Sequence, residues 1–253
     1  MRVAITRPVP ASLAECELTH LDRVPIDVAR ASVQHAAYEA ALAALGCEVR
    51  RLPPADDLPD SVFVEDVAIV LDEVAVITRP GAESRRGERA SVAPVLSEYR
   101  ELVAIAAPGT LDGGDVLRLG RTLYVGLSTR TNEDGARQLG RLIERFGYRV
   151  RAVQTAACLH LKSAVTALDA DRVLLNPEWV DARLFASLEV VRVAPEEPHA
   201  ANVLRIGGAI VAAAAHVRTI DGLRARGCEV TTVDVSELAK AEAGVTCCSL
   251  IIE

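Results

Sequence analysis

Apolar residues fall along the chain in short paired runs, each pair broken by two to four polar or glycine residues. Asp66–Leu71 and Val74–Arg79 flank Asp72-Glu73, and Asp115–Leu119 and Thr122–Leu127 flank Gly120-Arg121. Ser163–Leu168 and Val173–Leu175 flank Asp169-Ala-Asp-Arg172, and Asn202–Ile206 and Ala209–Ala212 flank Gly207-Gly208. Such runs around such turns predict β-hairpins. After each hairpin the apolar period lengthens to that of a helix face, and a further short strand follows. Val92, Leu96 and Tyr99 mark the first helix, ahead of strand Val103–Ala106. Leu139, Leu142, Ile143 and Phe146 mark the second, with Gly147 as its C-cap and Tyr148–Val153 as its strand. Trp179 to Leu188 predicts a shorter third helix before Val190–Val193, and Ile220 and Leu223 a fourth before Cys228–Val233.

A fifth unit forms only if the ends are joined. The tail strand Val245–Ile252 then pairs with Arg2–Thr6, followed by helix Val28 to Leu45 and strand Cys47–Leu52. Hairpin starts at Asp66, Asp115, Ser163, Asn202 and Cys247 lie 49, 48, 39 and 45 residues apart. A repeat of that size predicts a five-bladed α/β propeller of ββαβ units, closed by pairing of the N- and C-terminal strands, with residues 1–253 as one domain. A doubly wound sheet or (β/α) barrel would need single strands between helices, so the hairpins count against both.

Composition narrows the function. A net charge of -7 and a pI near 5.4 argue against a nucleic-acid partner. No window approaches the ~18 consecutive apolar residues of a membrane span, and Met1–Pro8 reads as a strand, not a signal peptide. The six cysteines lack CxxC spacing, so free thiols in the cytoplasm are expected. A homodimer is compatible with the sequence.

In a radial array, equivalent positions of the units meet near the axis. The hairpin mouths carry Glu65 and Asp66, then Asp112 in Leu111-Asp-Gly-Gly-Asp115, His160, Asn202 and Cys247. A thiol, an imidazole and carboxylates at one phase of a repeat suit nucleophilic catalysis, with His160 moving protons and Asp112 fixing its tautomer. Taken singly, a lone histidine is more often structural and a lone cysteine a buried thiol. Cys248 is expected in the core, since strand side chains alternate. A metal held by Asp112, His160 and Cys247 is the rival, without close ligand spacing. Asp60, Glu65 and Asp66 around Phe63 suit a planar cation, and Arg85 and Arg130 suit a carboxylate. Together they describe a zwitterion with a cationic head, such as an arginine derivative.

These residues sit in a wider set of motifs: Leu18-Thr-His20, Ile26-Asp-Val-Ala-Arg30, Val62-Phe-Val-Glu-Asp-Val-Ala68, Ile77-Thr-Arg-Pro-Gly81 and Ser84-Arg-Arg86. They continue with Leu111-Asp-Gly-Gly-Asp115, Val125-Gly-Leu-Ser-Thr-Arg-Thr-Asn132, His160-Leu-Lys162 and Thr246-Cys-Cys-Ser249. With them the chain resembles, along its whole length, the dimethylarginine dimethylaminohydrolases of the guanidino-group-modifying (pentein) superfamily. The resemblance implies hydrolysis of methylated arginine to citrulline and an alkylamine through a covalent thiouronium on Cys247, with no cofactor. It implies His160 as general acid and base, oriented by Asp112, and Arg85 and Arg130 at the substrate carboxylate. Asp60 and the carbonyls of Leu18 and Ala241 would take the ammonium. Glu65 and Asp66 would hold the guanidinium, with Phe63 near its methyl groups. Alternatives are an arginine deiminase-like or amidinotransferase activity, or a non-catalytic five-bladed binding propeller.

Overall fold

The computed structural model describes residues 1–253. Its strands form five separate three-stranded sheets. The first holds β1 (Arg2–Thr6), then α1 (Val28–Ala44) and β2 (Cys47–Arg51). The second is β3 (Ala68–Val70), β4 (Val74–Ile77), α2 (Arg89–Leu96) and β5 (Glu101–Ala104). The third is β6 (Val116–Leu119), β7 (Thr122–Leu127), α3 (Glu133–Ile143) and β8 (Arg149–Gln154). The fourth opens with a single turn, α4 (Leu161–Ala164), then β9 (Val165–Ala167), β10 (Arg172–Leu175) and β11 (Glu189–Arg192). The fifth is β12 (Val203–Ile206), β13 (Ala209–Ala213), α5 (Val217–Ala225) and β14 (Glu229–Val233). A short α6 (Ser236–Ala239) precedes β15 (Leu250–Ile252), which completes the first sheet.

Every sheet has one antiparallel and one parallel pair, as a ββαβ unit requires. The first and last strands close the ring, Val3 opposite Ile252 and Ile5 opposite Leu250. Period-2 alternation explains why the central strands read as unbroken apolar runs. Val74 and Val76 pack toward the third sheet, while Ala75 and Ile77 pack toward the first. Val173 and Leu175 face the third sheet and Leu174 the fifth. Ile210 faces the fourth sheet and Val211 the first. The result is five apolar clusters, one between each pair of neighbouring sheets. The arrangement is a five-bladed α/β propeller.

Helix ends follow local chemistry. Asp27 accepts from the Arg30 amide at 2.9 Å and starts α1, and Asn132 accepts from Gly135 at 2.8 Å and starts α3. Gly46 and Gly147, at φ 87° and 80°, end these helical segments in the left-handed conformation.

Two expectations change. Between β10 and β11 stands only a 3₁₀ turn, Ala182–Phe185, where a longer helix was predicted. The buried Val180 and Phe185 are five residues apart, off the helical period, so a longer helix could not bury both. The tail strand is also shorter than Val245–Ile252. The Thr246 amide is taken by Asn202 Oδ1 at 3.1 Å and the Cys247 amide by the Gly244 carbonyl, so Val245–Cys248 forms a turn and not a ladder. Cys248 is buried as expected, but from a turn.

Candidate active site

Each blade reaches the axis through one helical turn set just before its first strand. Glu65 and Asp66 lie in 3₁₀ turn Val64–Val67, and Asp112 immediately precedes 3₁₀ turn Gly113–Asp115. His160 immediately precedes α4, Asn202 follows 3₁₀ turn Pro198–Ala201, and Cys247 lies in the turn before β15. The shared phase seen in the sequence is therefore real, but its carrier is a turn. Gly113 and Gly114 let two of these turns touch. A Cβ on Gly113 would lie 1.9 Å from the Glu65 carbonyl, and one on Gly114 2.6 Å from His160 Nδ1.

Cys247 and His160 line one small cavity of about 20 Å³, room for about one water. Asp60, Phe63, Asp66, Arg85, Arg130 and Ala241 also line it. The His160 ring sits between carboxylates, with Nε2 3.2 Å from Asp112 Oδ2 and Nδ1 3.8 Å from Asp66 Oδ1. Asp112, fully buried, lies behind the ring and accepts from the Gly81 amide at 2.9 Å. Burial pushes His160 down, but Asp66, Asp112 and Asp115 outweigh it and carry the imidazole up to about 9. Burial pushes Asp66 up, but His160 and Arg85 outweigh it and hold its carboxyl at about 2. The half-buried Cys247 thiol is pushed up to about 12, first by burial and then by Glu65 and Asp66. The Gly244 amide, 3.4 Å from Sγ, works the other way.

The remaining residues divide. Arg85 is buried and largely spent: Nε and Nη2 bind Glu88 at 3.0 and 2.9 Å, Nη1 binds Asp66 at 2.6 Å, and Nη2 also meets the Phe63 carbonyl. One Nη1 hydrogen is left, which supports a single contact to a carboxylate, not a bidentate clamp. Arg130 donates to Thr19 Oγ1 at 3.0 Å. Asp60 accepts from the Glu17 amide at 3.1 Å, and its pKa is raised by burial against the pull of Arg85. Leu18 is half-buried against the core and does not line the cavity. Glu65 does not line the cavity: Lys162 Nζ at 2.5 Å and Thr246 Oγ1 at 2.7 Å take its two oxygens.

Sequence reasoning missed Glu88, Glu242 and Thr246. Glu88 stands three residues after Arg85, a spacing that signals an ion pair. Glu242 gave no signal; it lines the cavity, and its carboxylate accepts from the amides of Thr19, His20 and Leu21, strapping that loop to the cavity wall. It does so from a left-handed backbone, φ 59°, rare for a residue with a Cβ. Asp66, Asp112 and His160 bring ligand atoms within 4.8 Å of one another. The Arg85 guanidinium on Asp66 would stand beside any dication placed there, which makes the set a poor metal site. The rival set with Cys247 in place of Asp66 does not converge in this way.

Residues 53–199 match the arginine deiminase family model. The chain is 45% identical to the N(G),N(G)-dimethylarginine dimethylaminohydrolase of Streptomyces coelicolor over 251 residues, covering 98% of this chain and 96% of that one. It is 37% identical to the Pseudomonas aeruginosa enzyme of that name over 226 residues, covering 88% and 89%. A solved cysteine-to-serine mutant of dimethylarginine dimethylaminohydrolase from Pseudomonas aeruginosa, complexed with citrulline, has TM-score 0.95 at 35% identity and 98% of each chain. A dimethylarginine dimethylaminohydrolase adduct with S-methyl-L-thiocitrulline, in a histidine-to-glycine mutant, has TM-score 0.94 at 35% identity over 100% of each chain. The chain belongs to the dimethylarginine dimethylaminohydrolase family of the pentein superfamily, within the reach of the arginine deiminase model.

Proposed function

We propose that this chain hydrolyses N-methylated arginine to citrulline and an alkylamine, with Cys247 as nucleophile, His160 as proton donor and acceptor, and Asp112 as the carboxylate orienting it. The observation that carries this is one cavity holding the thiol, the imidazolium, the carboxylates Asp60 and Asp66 and the cations Arg85 and Arg130. Residues 1–253 are read as one hydrolase domain. No helix is long and apolar enough to cross a membrane. Six cysteines without a disulfide support a cytoplasmic setting.

The electrostatics set the order of events. At neutral pH Cys247 is a thiol and His160 an imidazolium. A guanidinium arriving between the sulfur and Asp66 offsets the negative charge that holds the thiol protonated, and the thiol proton leaves to solvent. The thiolate attacks the guanidinium carbon. His160 protonates the departing amine; its Nδ1, free of hydrogen bonds within the protein, is the atom left to give the proton. A thiouronium on Cys247 remains. Water then attacks, one of its protons passes to the neutral His160 and the other to the sulfur as the carbon–sulfur bond breaks, and citrulline is released. Asp60 and the Leu18 and Ala241 carbonyls take the ammonium, Asp66 supplies the charge facing the guanidinium with the Lys162-paired Glu65 behind it, and Phe63 borders its methyl groups. Arg130, with one donor from Arg85, meets the carboxylate. A cavity of about 20 Å³ cannot hold such a ligand, so the strap from Glu242 to Thr19–Leu21 lifts for entry.

The test is citrulline and amine release from dimethylarginine and from arginine. Wild type is expected to release both products from the methylated substrate and little citrulline from arginine. Cys247→Ser is expected to fold and bind but lose turnover. Near-normal amine release by that variant would refute the nucleophile, and preference for arginine would favour the deiminase-like reading.

A further inference from the structure

Cys247 sits in a turn, so no sheet ladder sets the direction of its thiol. What sets it is a closed ring of hydrogen bonds among four blades. Lys162 Nζ donates to Glu65 Oε1 at 2.5 Å and Thr246 Oγ1 donates to Glu65 Oε2 at 2.7 Å. Asn202 Nδ2 donates to Thr246 Oγ1 at 3.0 Å and to the Lys162 carbonyl at 3.1 Å, while Asn202 Oδ1 accepts from the Thr246 amide at 3.1 Å. The Asn202 amide can face only one way, because one end meets an N–H and the other a C=O. That fixes the Thr246 hydroxyl as acceptor from Asn202 and donor to Glu65. Glu65 returns the grip through its own amide, 3.1 Å from the Cys247 carbonyl.

The turn is cut to fit this ring. A Cβ on Gly244 would lie 2.2 Å from Asn202 Oδ1, so only glycine lets the Asn202 side chain reach the Thr246 peptide. The same Gly244 amide points at Cys247 Sγ, 3.4 Å away. Asn202 and Thr246 are 9% and 3% exposed, and neither lines the cavity.

We infer that Asn202 and Thr246 are positioning residues for the nucleophile: they hold the Gly244–Cys247 turn so that Sγ meets the Gly244 N–H and faces the His160 cavity. Thr246 also ties the turn to Glu65, whose other oxygen is held by Lys162. The inference rests on Cys247 being the nucleophile.

Two readouts on the full chain test it: kcat and KM for dimethylarginine, and the pH profile of Cys247 alkylation by iodoacetamide, mapped by mass spectrometry. The variants are Thr246→Val, Thr246→Ser and Asn202→Ala, each scored for folding by near-UV circular dichroism. Misplacement of a reacting atom by about 1 Å costs ~100-fold. Thr246→Val is therefore expected to lose about 100-fold in kcat with KM changed by less than ~3-fold, and its alkylation profile to move to higher pH. Asn202→Ala follows in the same direction. Thr246→Ser, which keeps the hydroxyl, is expected to restore both readouts. A folded Thr246→Val or Asn202→Ala with the wild-type alkylation profile overturns the inference, as does a Thr246→Ser no better than Thr246→Val. If Thr246→Val does not fold, Asn202→Ala and Thr246→Ser decide on the same two readouts. Should wild type fail to turn over dimethylarginine, the proposed function fails, and the alkylation profiles still decide whether the ring aims the thiol.

Discussion

At the scale of single residues, the active site raises both of its acids and keeps their ordinary order. Cys247 is pushed up to about 12 and His160 to about 9, so the first proton lost by the free enzyme comes from the imidazole. The productive form, thiolate beside imidazolium, has also lost one proton, and that count is reached only as pH passes about 9. Thus kcat/KM is expected to rise ~10-fold per pH unit from pH 7 toward about 9. The bound guanidinium favours the thiolate, so the acid limb of kcat lies at lower pH. Coincident limbs, or a flat kcat/KM between pH 7 and 9, would contradict this assignment. The same shifts link to folding. His160 has a folded pKa above its ordinary 6.5, so its contribution to stability is fully present below pH 6.5 and is lost as pH rises through about 9. Asp66 lies below its ordinary 3.8, so its contribution is present above that and lost as pH falls through about 2. Thermal unfolding of wild type against His160→Gln should show the difference shrinking across pH 6.5–9.

At the scale of elements, the structure separates what a period can reveal from what it cannot. The central strands β4, β7, β10 and β13 were legible because burial on both faces makes continuous apolar runs. Strand β1 matched its expected bounds, and α1 ended one residue early. The single turns that carry Asp66, Asp112 and His160 toward the axis were not legible, since three or four residues are too short for any periodicity. Their presence was nevertheless encoded in Gly113-Gly114, a dipeptide whose missing side chains permit so close an approach. The two glycines now make different predictions. A Cβ on Gly113 strikes backbone, the Glu65 carbonyl at 1.9 Å, so Gly113→Ala must move one turn against another. It is expected to cost about 1–3 kcal/mol, a fall in Tm of roughly 2–10 °C. A Cβ on Gly114 strikes the His160 ring and Asp66 Oδ1, side chains that can shift. Gly114→Ala should therefore keep most of its Tm while kcat falls by ~10-fold or more, as the ring leaves its place. Calorimetry and steady-state kinetics on the pair test this, and equal Tm losses with equal kcat losses would show that the two contacts are not distinct.

At the scale of the whole molecule, the five apolar clusters lie between blades and not within them, so no blade buries its faces alone. Closure is then the decisive contact, and it is made by β15 on β1 and by the Arg2–Glu253 ion pair beside them. The sequence carried this in the unpaired tail of apolar residues, which had no partner until the ends were joined. What the ring makes arbitrary is the place where the chain is cut. Val3 stands opposite Ile252, which brings Met1 and Glu253 side by side, within reach of a linker of a few Gly or Ser residues. A circular permutant with joined ends and new termini between Gly207 and Gly208, an exposed hairpin turn, keeps every strand pair of the fold. It is expected to fold with one cooperative transition and to retain kcat within ~3-fold. Deletion of Leu250–Glu253 removes far less connectivity, yet it strips β1 of a neighbour and uncovers the cluster that Leu250 and Ile252 fill against Val64 and Ile77. That truncation is expected to lose its cooperative melt and its turnover. A permutant that misfolds beside a truncation that melts cleanly would mean that blades stand independently, and that Cys247 needs no closed ring to face His160.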